Sequence, residues 1–190
     1  PGMRLPLIVR HPSQTRKGLV CEAMVNWTDL APTVLEYTGA RCAPRHKLHG
    51  RSFLPLLEQE RPQGWDEVYA SHTFHEITMY YPMRVIRTRQ YKYILNLAHQ
   101  LPYPFASDLY ASPTWQAVLA GRQTTLGKRA VSAYLQRPRH ELYDLQADPD
   151  EVRSLADDQA HAEVLRQLQE KLQIWQKATR DPWVLKYDYE

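Results

Sequence analysis

The sequence predicts a mixed fold, α/β passing into α+β, and three observations support this prediction. Residues 5–9 form a short, continuous apolar run, which is typical of a strand buried on both faces of an α/β sheet. Apolar and polar side chains alternate in several segments between residues 67 and 97, a pattern typical of an antiparallel sheet. Residues 159–178 repeat apolar side chains at spacings of three and four, which predicts a long amphipathic helix.

The composition of the 190 residues excludes several classes of protein. Hydrophobic residues make up 43% of the chain and aromatic residues 11%, which argues against intrinsic disorder. No run of about 18 apolar residues occurs, so neither a transmembrane helix nor a membrane partner is expected. The net charge of +3 is too small to indicate nucleic acid as a partner. Cys21 and Cys42 are too few for a disulfide scaffold, and the sequence leaves open whether they pair.

The first region of the chain contains one well-marked helix. Residues 29–38 place apolar side chains on one face, Pro32 falls in the first turn, where it is tolerated, and Gly39 stands where a helix ends. A second extended segment is expected over residues 20–25, and a short helix over residues 52–58.

The character of the sequence changes after Pro62, which divides the chain into domains of residues 1–62 and residues 63–190. Strands are expected over residues 67–74, 83–87, 91–97 and 141–145. Lys92 and Asn96 alternate with the apolar residues of the third strand, so they lie on the opposite face. The predicted antiparallel sheet therefore has one face toward solvent.

Three helix starts are expected in the second region. Ser112 before Pro113 is a capping residue followed by the residue type favoured at the first helical position. Asp148 and Glu151 have the spacing of a capping box, which predicts a helix start there as well. The last helix carries the apolar stripe Leu165, Leu168, Leu172 and Trp175. We interpret this stripe as a face that packs against the sheet.

Residues 72–84 form the densest cluster of polar and aromatic side chains, and they lie between two predicted strands, where binding loops are common. The candidate substrate-binding residues are His72, His75, Glu76 and Arg84. Histidine and glutamate can exchange protons or bind sugar hydroxyls, arginine can pair with sulfate in a fork, and nearby tyrosines can stack on a sugar ring. The alternative is a loop packed by its own aromatic side chains, and the residues alone leave both interpretations open.

Two pairs of histidines have i,i+3 spacing: His46 with His49, near a cysteine, and His72 with His75, beside a glutamate. A zinc site needs three or four convergent ligands, so a zinc-stabilised structural domain is one alternative for this chain. The sequence contains no nucleophile elbow, no glycine-rich phosphate loop and no His-Glu-x-x-His motif. We therefore assign no catalytic residue and no metal ligand to it.

Four phrases, taken in order, resemble the C-terminal third of the sulfatase family. They are Pro1-Gly-Met-Arg4-Leu-Pro6, Asp29-Leu-Ala-Pro32-Thr33, Gly50-Arg51-Ser52-Phe-Leu-Pro55 and Glu141-Leu-Tyr-Asp144-Leu-Gln-Ala-Asp148-Pro149. Ser154, which follows the last phrase, stands where the family more often has asparagine. The resemblance implies that residues 1–62 are the tail end of an alkaline-phosphatase-like sulfatase α/β domain. It further implies that residues 63–190 form a small antiparallel sheet packed on a long C-terminal helix.

Further segments are similar to the heparan N-sulfatase (sulfamidase) type of sulfatase. They are residues 71–84, 110–116 and 179–184. The resemblance implies that the parent protein hydrolyses N-sulfate or sulfate esters on glycosaminoglycan-type sugars, so a sulfated sugar is the expected partner. In the family, a cysteine or serine within Cys/Ser-x-Pro-x-Arg becomes formylglycine, and a calcium ion helps to hold the sulfate.

The resemblance also implies what this chain lacks. The phrase Cys42-Ala-Pro44-Arg45-His46 comes close to the nucleophile motif, but its arginine arrives one position early. The formylglycine, the calcium ligands and the N-terminal catalytic domain are therefore expected upstream of Pro1, and the chain alone is expected to be inactive. The four candidate residues would grip the glucosamine unit rather than cleave the bond.

Two other expectations follow from the residues themselves. The net positive charge and the loop of aromatic residues and arginine suit an independent module that binds sulfated polysaccharide, which is a second alternative function. A strand over residues 5–9 without its neighbours would expose an edge, so a homo-oligomer formed through that edge is expected. The sequence assigns no cellular compartment.

Overall fold

The computed structural model describes residues 3–43, 45–76 and 79–187. The chain divides into two compact units, Pro1–Val68 and Tyr69–Glu190, which we call the N-terminal unit and the C-terminal unit. Each unit has its own cluster of buried apolar side chains. Across the described ranges, no helix is both long enough and apolar enough to cross a membrane.

The N-terminal unit is built around one α-helix and a small apolar core. A 3₁₀ turn at Trp27–Asp29 leads into helix α1, Leu30–Thr38, and Gly39 ends this helix in the left-handed conformation, with φ of 68°. The helix predicted here is thus confirmed. The short helix expected over residues 52–58 is a single 3₁₀ turn at Leu54–Leu56. The buried core consists of Phe53, Leu56 and Trp65.

Residues 5–9 form no strand, so the prediction is wrong at this point. The side chains are open to solvent instead, and Ile8 is 92% exposed. A strand buried on both faces needs partner strands, whereas the described residues before Glu67 contain none. The expected strand edge is therefore not seen, and association of chains through this apolar segment stays a prediction.

The C-terminal unit is organised around a four-stranded sheet. The strands of the protein are β1 (Glu67–His75), β2 (Met79–Thr88), β3 (Tyr91–Asn96), β4 (Thr125–Leu126), β5 (Arg129–Ala130) and β6 (His140–Asp144). The sheet has the order β1-β2-β3-β6, and the pairs β2–β3 and β3–β6 are antiparallel. Strands β4 and β5 form a separate hairpin. The antiparallel sheet predicted from alternation is confirmed.

Four further α-helices lie in the described part of the C-terminal unit. They are α2 (Ser107–Ala111), α3 (Pro113–Leu119), α4 (Val131–Leu135) and α5 (Ala162–Thr179). The predicted cap of α3 is confirmed, because Ser112 Oγ accepts a hydrogen bond from the Trp115 amide at 3.2 Å. The helix start expected at Asp148 is wrong. The Asp148 carboxylate instead accepts hydrogen bonds from the Val152 and Arg153 amides, and Glu151 has a positive φ of 55°.

Helix α5 packs on one face of the sheet, as its apolar stripe predicts. The shared core consists of Ile86, Tyr93, Leu95, Leu97, Leu142, Leu168 and Leu172. Asp158 caps the preceding 3₁₀ turn by accepting from the Ala160 amide at 3.0 Å. Trp175 stacks on Tyr69 with ring centroids 5.0 Å apart. Together these contacts confirm that a small antiparallel sheet lies on a long C-terminal helix.

The opposite face of the sheet is covered as well, so the prediction of one solvent-exposed face is wrong. Lys92 is only 8% exposed, and Asn96 is fully buried. The Asn96 amide donates to Glu141 Oε1 at 2.7 Å, and Arg129, on β5, donates to Glu141 Oε2 and to the Tyr143 hydroxyl. The chain between β3 and β6 thus brings a polar partner onto this face, which strand alternation alone does not reveal.

Candidate functional site

The candidate site lies where strands β1 and β2 approach the connection between them. Strand β1 ends at His75 and β2 begins at Met79, so the end of one strand lies near the start of the next. The four candidate residues therefore fall on two neighbouring strands and the turn after β1. We call His72, His75, Glu76 and Arg84 the β1–β2 cluster.

Arg84 is buried, with only 4% of its surface exposed, and it forms an ion pair with Asp181. Its Nε donates to Asp181 Oδ2 at 2.5 Å and its Nη2 donates to Oδ1 at 2.9 Å, which is the bidentate geometry of an arginine fork. Its Nη1 donates to two backbone carbonyl oxygens, those of His72 at 3.1 Å and Met83 at 2.9 Å. The guanidinium thus points into the protein rather than into an open pocket.

His72 is half-buried, and its ring is held by the neighbouring strand. Its Nδ1 lies 3.0 Å from the carbonyl oxygen of Tyr81. Because a carbonyl oxygen can only accept, Nδ1 carries the proton and donates. A neutral His72 therefore has Nε2 as a hydrogen-bond acceptor, which suits a donor such as a sugar hydroxyl. Arg84 and Tyr81 hold this residue through its backbone and its ring respectively.

His75 and Glu76 are exposed at the end of β1. Glu76 has a φ of 59°, in the left-handed region that few residues other than glycine adopt. Its Oε2 accepts from both the amide and the hydroxyl of Ser107 at 3.4 Å, which are long hydrogen bonds. The carboxylate is therefore only weakly held and can exchange these partners for a ligand.

Sequence reasoning did not assign a role to Asp181, although it is central to the cluster. The carboxylate accepts from Arg84, from Gln176 Nε2 at 3.1 Å and from the Trp183 amide at 3.1 Å. Burial by itself would raise the pKa of Asp181, but these hydrogen bonds outweigh burial and hold the pKa below its ordinary value. The residue lies in the segment 179–184, whose similarity to sulfamidases was the available signal.

Two tyrosines of β2 have different surroundings. Tyr80 is exposed, and its ring lies 5.8 Å from that of Trp183. Tyr81 is fully buried against Tyr103, whose ring face is covered by the Arg137 guanidinium at 3.7 Å. Burial, opposed by Arg137, raises the pKa of Tyr81 to about 12. Only Tyr80 is therefore available to stack on a sugar.

The described residues do not form a metal site. Within the described ranges, no three His, Cys, Asp or Glu side chains come together in a way that holds a metal ion. Cys42 is a free thiol, as is Cys21, and its Sγ donates to the His46 carbonyl oxygen at 3.7 Å. The described residues therefore offer no site for the zinc of the alternative hypothesis. Pro44, within the near-match to the nucleophile motif, lies outside the described residues.

A separate pocket of about 540 Å³ opens on the N-terminal unit. Its charged lining residues are Arg16, Lys17, Glu22, Glu60 and Arg61. Arg16 pairs with Glu60, and Arg61 pairs with Glu22 at 3.2 Å, so most of the positive charge is balanced within the pocket. This pocket contains none of the candidate residues.

Comparison with protein families identifies the region of the relatives to which the chain corresponds. Residues 1–114 match the model of the family described as N-sulphoglucosamine sulphohydrolase, C-terminal. The chain is 39% identical to human N-sulphoglucosamine sulphohydrolase over 197 aligned positions, which cover 97% of this chain and 38% of the human protein. It is 28% identical to an ulvan-active sulfatase of Formosa agariphila, covering 95% of this chain and 34% of that protein.

A solved structure shares the fold. A protein determined in complex with its substrate, D-glucosamine-2-N,6-O-disulfate, superimposes with a TM-score of 0.63 at 23% identity. The match covers 94% of this chain and 29% of that protein. This likeness confirms the predicted mixed α/β fold, in which a small antiparallel sheet lies on a long C-terminal helix. The chain spans only about a third of the length of these relatives.

Proposed function

The chain belongs to the N-sulphoglucosamine sulphohydrolase C-terminal family, and from this membership we propose that it shapes the substrate site of a sulfamidase-like sulfatase. The full-length protein would hydrolyse N-sulfate, or a sulfate ester, on a glucosamine unit of a glycosaminoglycan-type sugar. In N-sulfate hydrolysis, water supplies an oxygen to sulfur, the S–N bond breaks, and a free amine and inorganic sulfate leave.

The observation that carries the proposal is the extent of the similarity. A relative named as a sulfohydrolase of N-sulfated glucosamine is 39% identical over almost the whole chain. In the structural neighbour, the substrate is a glucosamine that carries both N- and O-sulfate. These two names agree on the sugar, and they differ in whether one or both sulfate positions are involved.

Within the chain, we propose that residues of the β1–β2 cluster contact the sugar. The exposed His75 and Glu76 and the acceptor Nε2 of His72 offer the hydrogen bonds that sugar hydroxyl and amine groups require. Tyr80, near the start of β2, adds an exposed ring. The formylglycine and the calcium ion that the resemblance implies would belong to the remainder of the full-length protein.

The full-length protein provides the test of this proposal. We expect it to release inorganic sulfate from N-sulfated glucosamine, from 6-O-sulfated glucosamine, or from both. Residues 1–190 alone are expected to release none, with or without added calcium. If the full-length protein releases no sulfate from either sugar, or if the isolated chain turns over substrate, the proposal is overturned.

Variants of the exposed residues test the assignment of the site. His75→Ala and Glu76→Ala in the full-length protein are expected to raise KM about tenfold, since each removes a side chain that hydrogen-bonds to the sugar. Neither change should affect folding, because both side chains are exposed. The matched control is His46→Ala, an exposed histidine of the N-terminal unit, which should leave KM unchanged. An unchanged KM in both site variants would show that the cluster does not contact the substrate.

A further inference from the structure

We infer that Arg84 and Asp181 are positioning residues, which hold the ends of β1 and β2 in place for the substrate without contacting it. This inference rests on the proposed function, because the strands they hold carry the proposed sugar contacts. It assigns to Arg84 a role different from the sulfate-binding one that residue type alone suggests.

The hydrogen bonds that Arg84 makes within the protein use most of its N–H donors, so few remain for a ligand. A guanidinium has five N–H donors. Two of them bind the Asp181 carboxylate and two bind the carbonyl oxygens of His72 and Met83. Arg84 would therefore have to break buried hydrogen bonds to grip a sulfate. Its geometry fits a fixed link between the two strands and the turn after α5. We call the Arg84–Asp181 ion pair the brace.

Asp181 is the other end of this brace, and it is equally committed. Its carboxylate accepts from Arg84 twice, from Gln176 and from the Trp183 amide, which occupies about all four of its lone-pair sites. Its own amide donates to the Gln176 carbonyl oxygen at 2.8 Å, just after Arg180 ends helix α5 in the left-handed conformation. The turn that follows α5 thus presents the carboxylate to β2 in one orientation.

The brace lies close to the residues that we propose contact the sugar. Arg84 Nη1 holds the carbonyl oxygen of His72, one of the proposed contacts. The ring of Trp183, two residues beyond Asp181, lies against the ring of Tyr80. Asp181 is 97 positions from Arg84 in the sequence, so this arrangement ties the turn after α5 to both strands of the site. A shift of the brace would move His72 and Tyr80 together.

A pair of variants separates positioning from simple stabilisation. Asp181→Asn leaves a buried arginine without its anion, which generally costs stability and can prevent folding. The double variant Arg84→Met/Asp181→Leu replaces the ion pair by apolar side chains of similar size, and such replacements are often neutral for stability. It removes the hydrogen bond to His72 while it keeps the packing, so it is the decisive variant.

We expect the full-length double variant to stay folded, with a moderately lowered melting temperature because Gln176 and the Trp183 amide lose their acceptor, while KM for N-sulfated glucosamine rises about tenfold and kcat changes by less than about twofold. Amide hydrogen exchange should become faster in residues 70–76 and 79–84 and remain unchanged in α5. The matched control is Lys92→Met/Glu151→Gln, which removes another largely buried ion pair of the same unit, away from the cluster. The control should leave KM and the exchange of residues 70–76 unchanged.

The two proposals fail in different ways. An unchanged KM and unchanged exchange at the strand ends in the double variant would overturn the positioning role while leaving the sulfatase activity established. An equal rise of KM in the control variant would also overturn it, because the effect would then be one of general stability. A wild-type protein without sulfatase activity would overturn the proposed function, and hydrogen exchange would still decide whether the pair holds the two strands.

Discussion

The two units of the protein differ in the contacts that stabilise each of them. Of the 17 buried apolar residues in the part of the chain that the structure describes, fourteen lie in the C-terminal unit and only three in the N-terminal unit. The N-terminal unit nevertheless exposes more large apolar side chains, among them Ile8, Val20 and Trp27. The C-terminal unit thus has the larger apolar core, whereas the N-terminal unit leaves a larger share of its apolar side chains exposed.

Polar contacts between motifs compensate in part for the small core of the N-terminal unit. The buried Asp29 carboxylate accepts from the amides of Asn26 at 2.8 Å and Arg51 at 2.9 Å. The Thr33 hydroxyl donates to the Asp29 carbonyl oxygen and accepts from the Phe53 amide at 3.0 Å. Two of the phrases that resemble sulfatases are therefore joined in space. In this unit, hydrogen bonds between motif residues contribute the stability that apolar packing contributes in the C-terminal unit.

The largest effect is expected from the core of the C-terminal unit. Leu172→Ala removes a fully buried side chain between α5 and the sheet and should lower the free energy of unfolding by about 2–5 kcal/mol. Ile174→Ala, on the same helix but 67% exposed, is the matched control and should cost less than about 1 kcal/mol. Urea unfolding measures both. Equal losses would show that α5 is not anchored by its buried face.

A smaller effect is expected from the motif contacts of the N-terminal unit. A Cβ at Gly50 would lie 2.1 Å from the Thr28 carbonyl oxygen, so Gly50→Ala forces the two motifs apart and should cost about 1–3 kcal/mol. Faster hydrogen exchange at the Arg51 and Phe53 amides would locate the loss. Gly127→Ala, where no atom lies within 4 Å, should leave these two amides unaffected. If they remain protected in Gly50→Ala, the motif contacts do not hold this unit.

The smallest effect is expected on the solvent-facing side of α5. Hydrogen bonds from Arg166 and Gln167 lower the pKa of Glu163 from 4.5 to about 2. A lowered carboxyl pKa stabilises the folded state above the unfolded value of 4.5, and this contribution disappears as the pH falls through about 2. Glu163→Gln should therefore lower the melting temperature slightly at neutral pH.

This difference should shrink toward pH 2 and in high salt, because the pair is exposed and screened. A difference that persists under acid would mean that Glu163 acts through something other than its charge. Comparison with Leu172→Ala then shows how far the stability of the C-terminal unit rests on its core rather than on its surface charges.

The parts of the fold that depend on local patterns were predictable. Helix α1, its end at Gly39, the cap at Ser112 and the stripe of α5 all follow from spacing and residue type, and the structure confirms them. The two wrong predictions share a cause, because each depends on structure beyond the local pattern. Residues 5–9 have the composition of a buried strand, but the described residues before Glu67 provide no partner strand. Asp148 is a residue type that often caps a helix, but no helix follows it.

The candidate site was predictable only in outline. Its four residues lie on two neighbouring strands and the turn after β1 because they are close in sequence, and the dense cluster of polar and aromatic side chains pointed to them. The partners of these residues were not predictable. The distance of 97 positions between Arg84 and Asp181 places their ion pair beyond any local pattern, and only the turn after α5 brings the carboxylate to β2.

The sequence by itself therefore determined the family, and it predicted helix α1, the strands of the antiparallel sheet and helix α5 in their order. Each of these depends on neighbours along the chain or on phrases that can be read in order. The tertiary structure alone decided that Lys92 and Asn96 are buried and that Arg84 faces Asp181. Burial and ion pairing depend on which distant segment covers a residue, and a linear pattern does not carry that information.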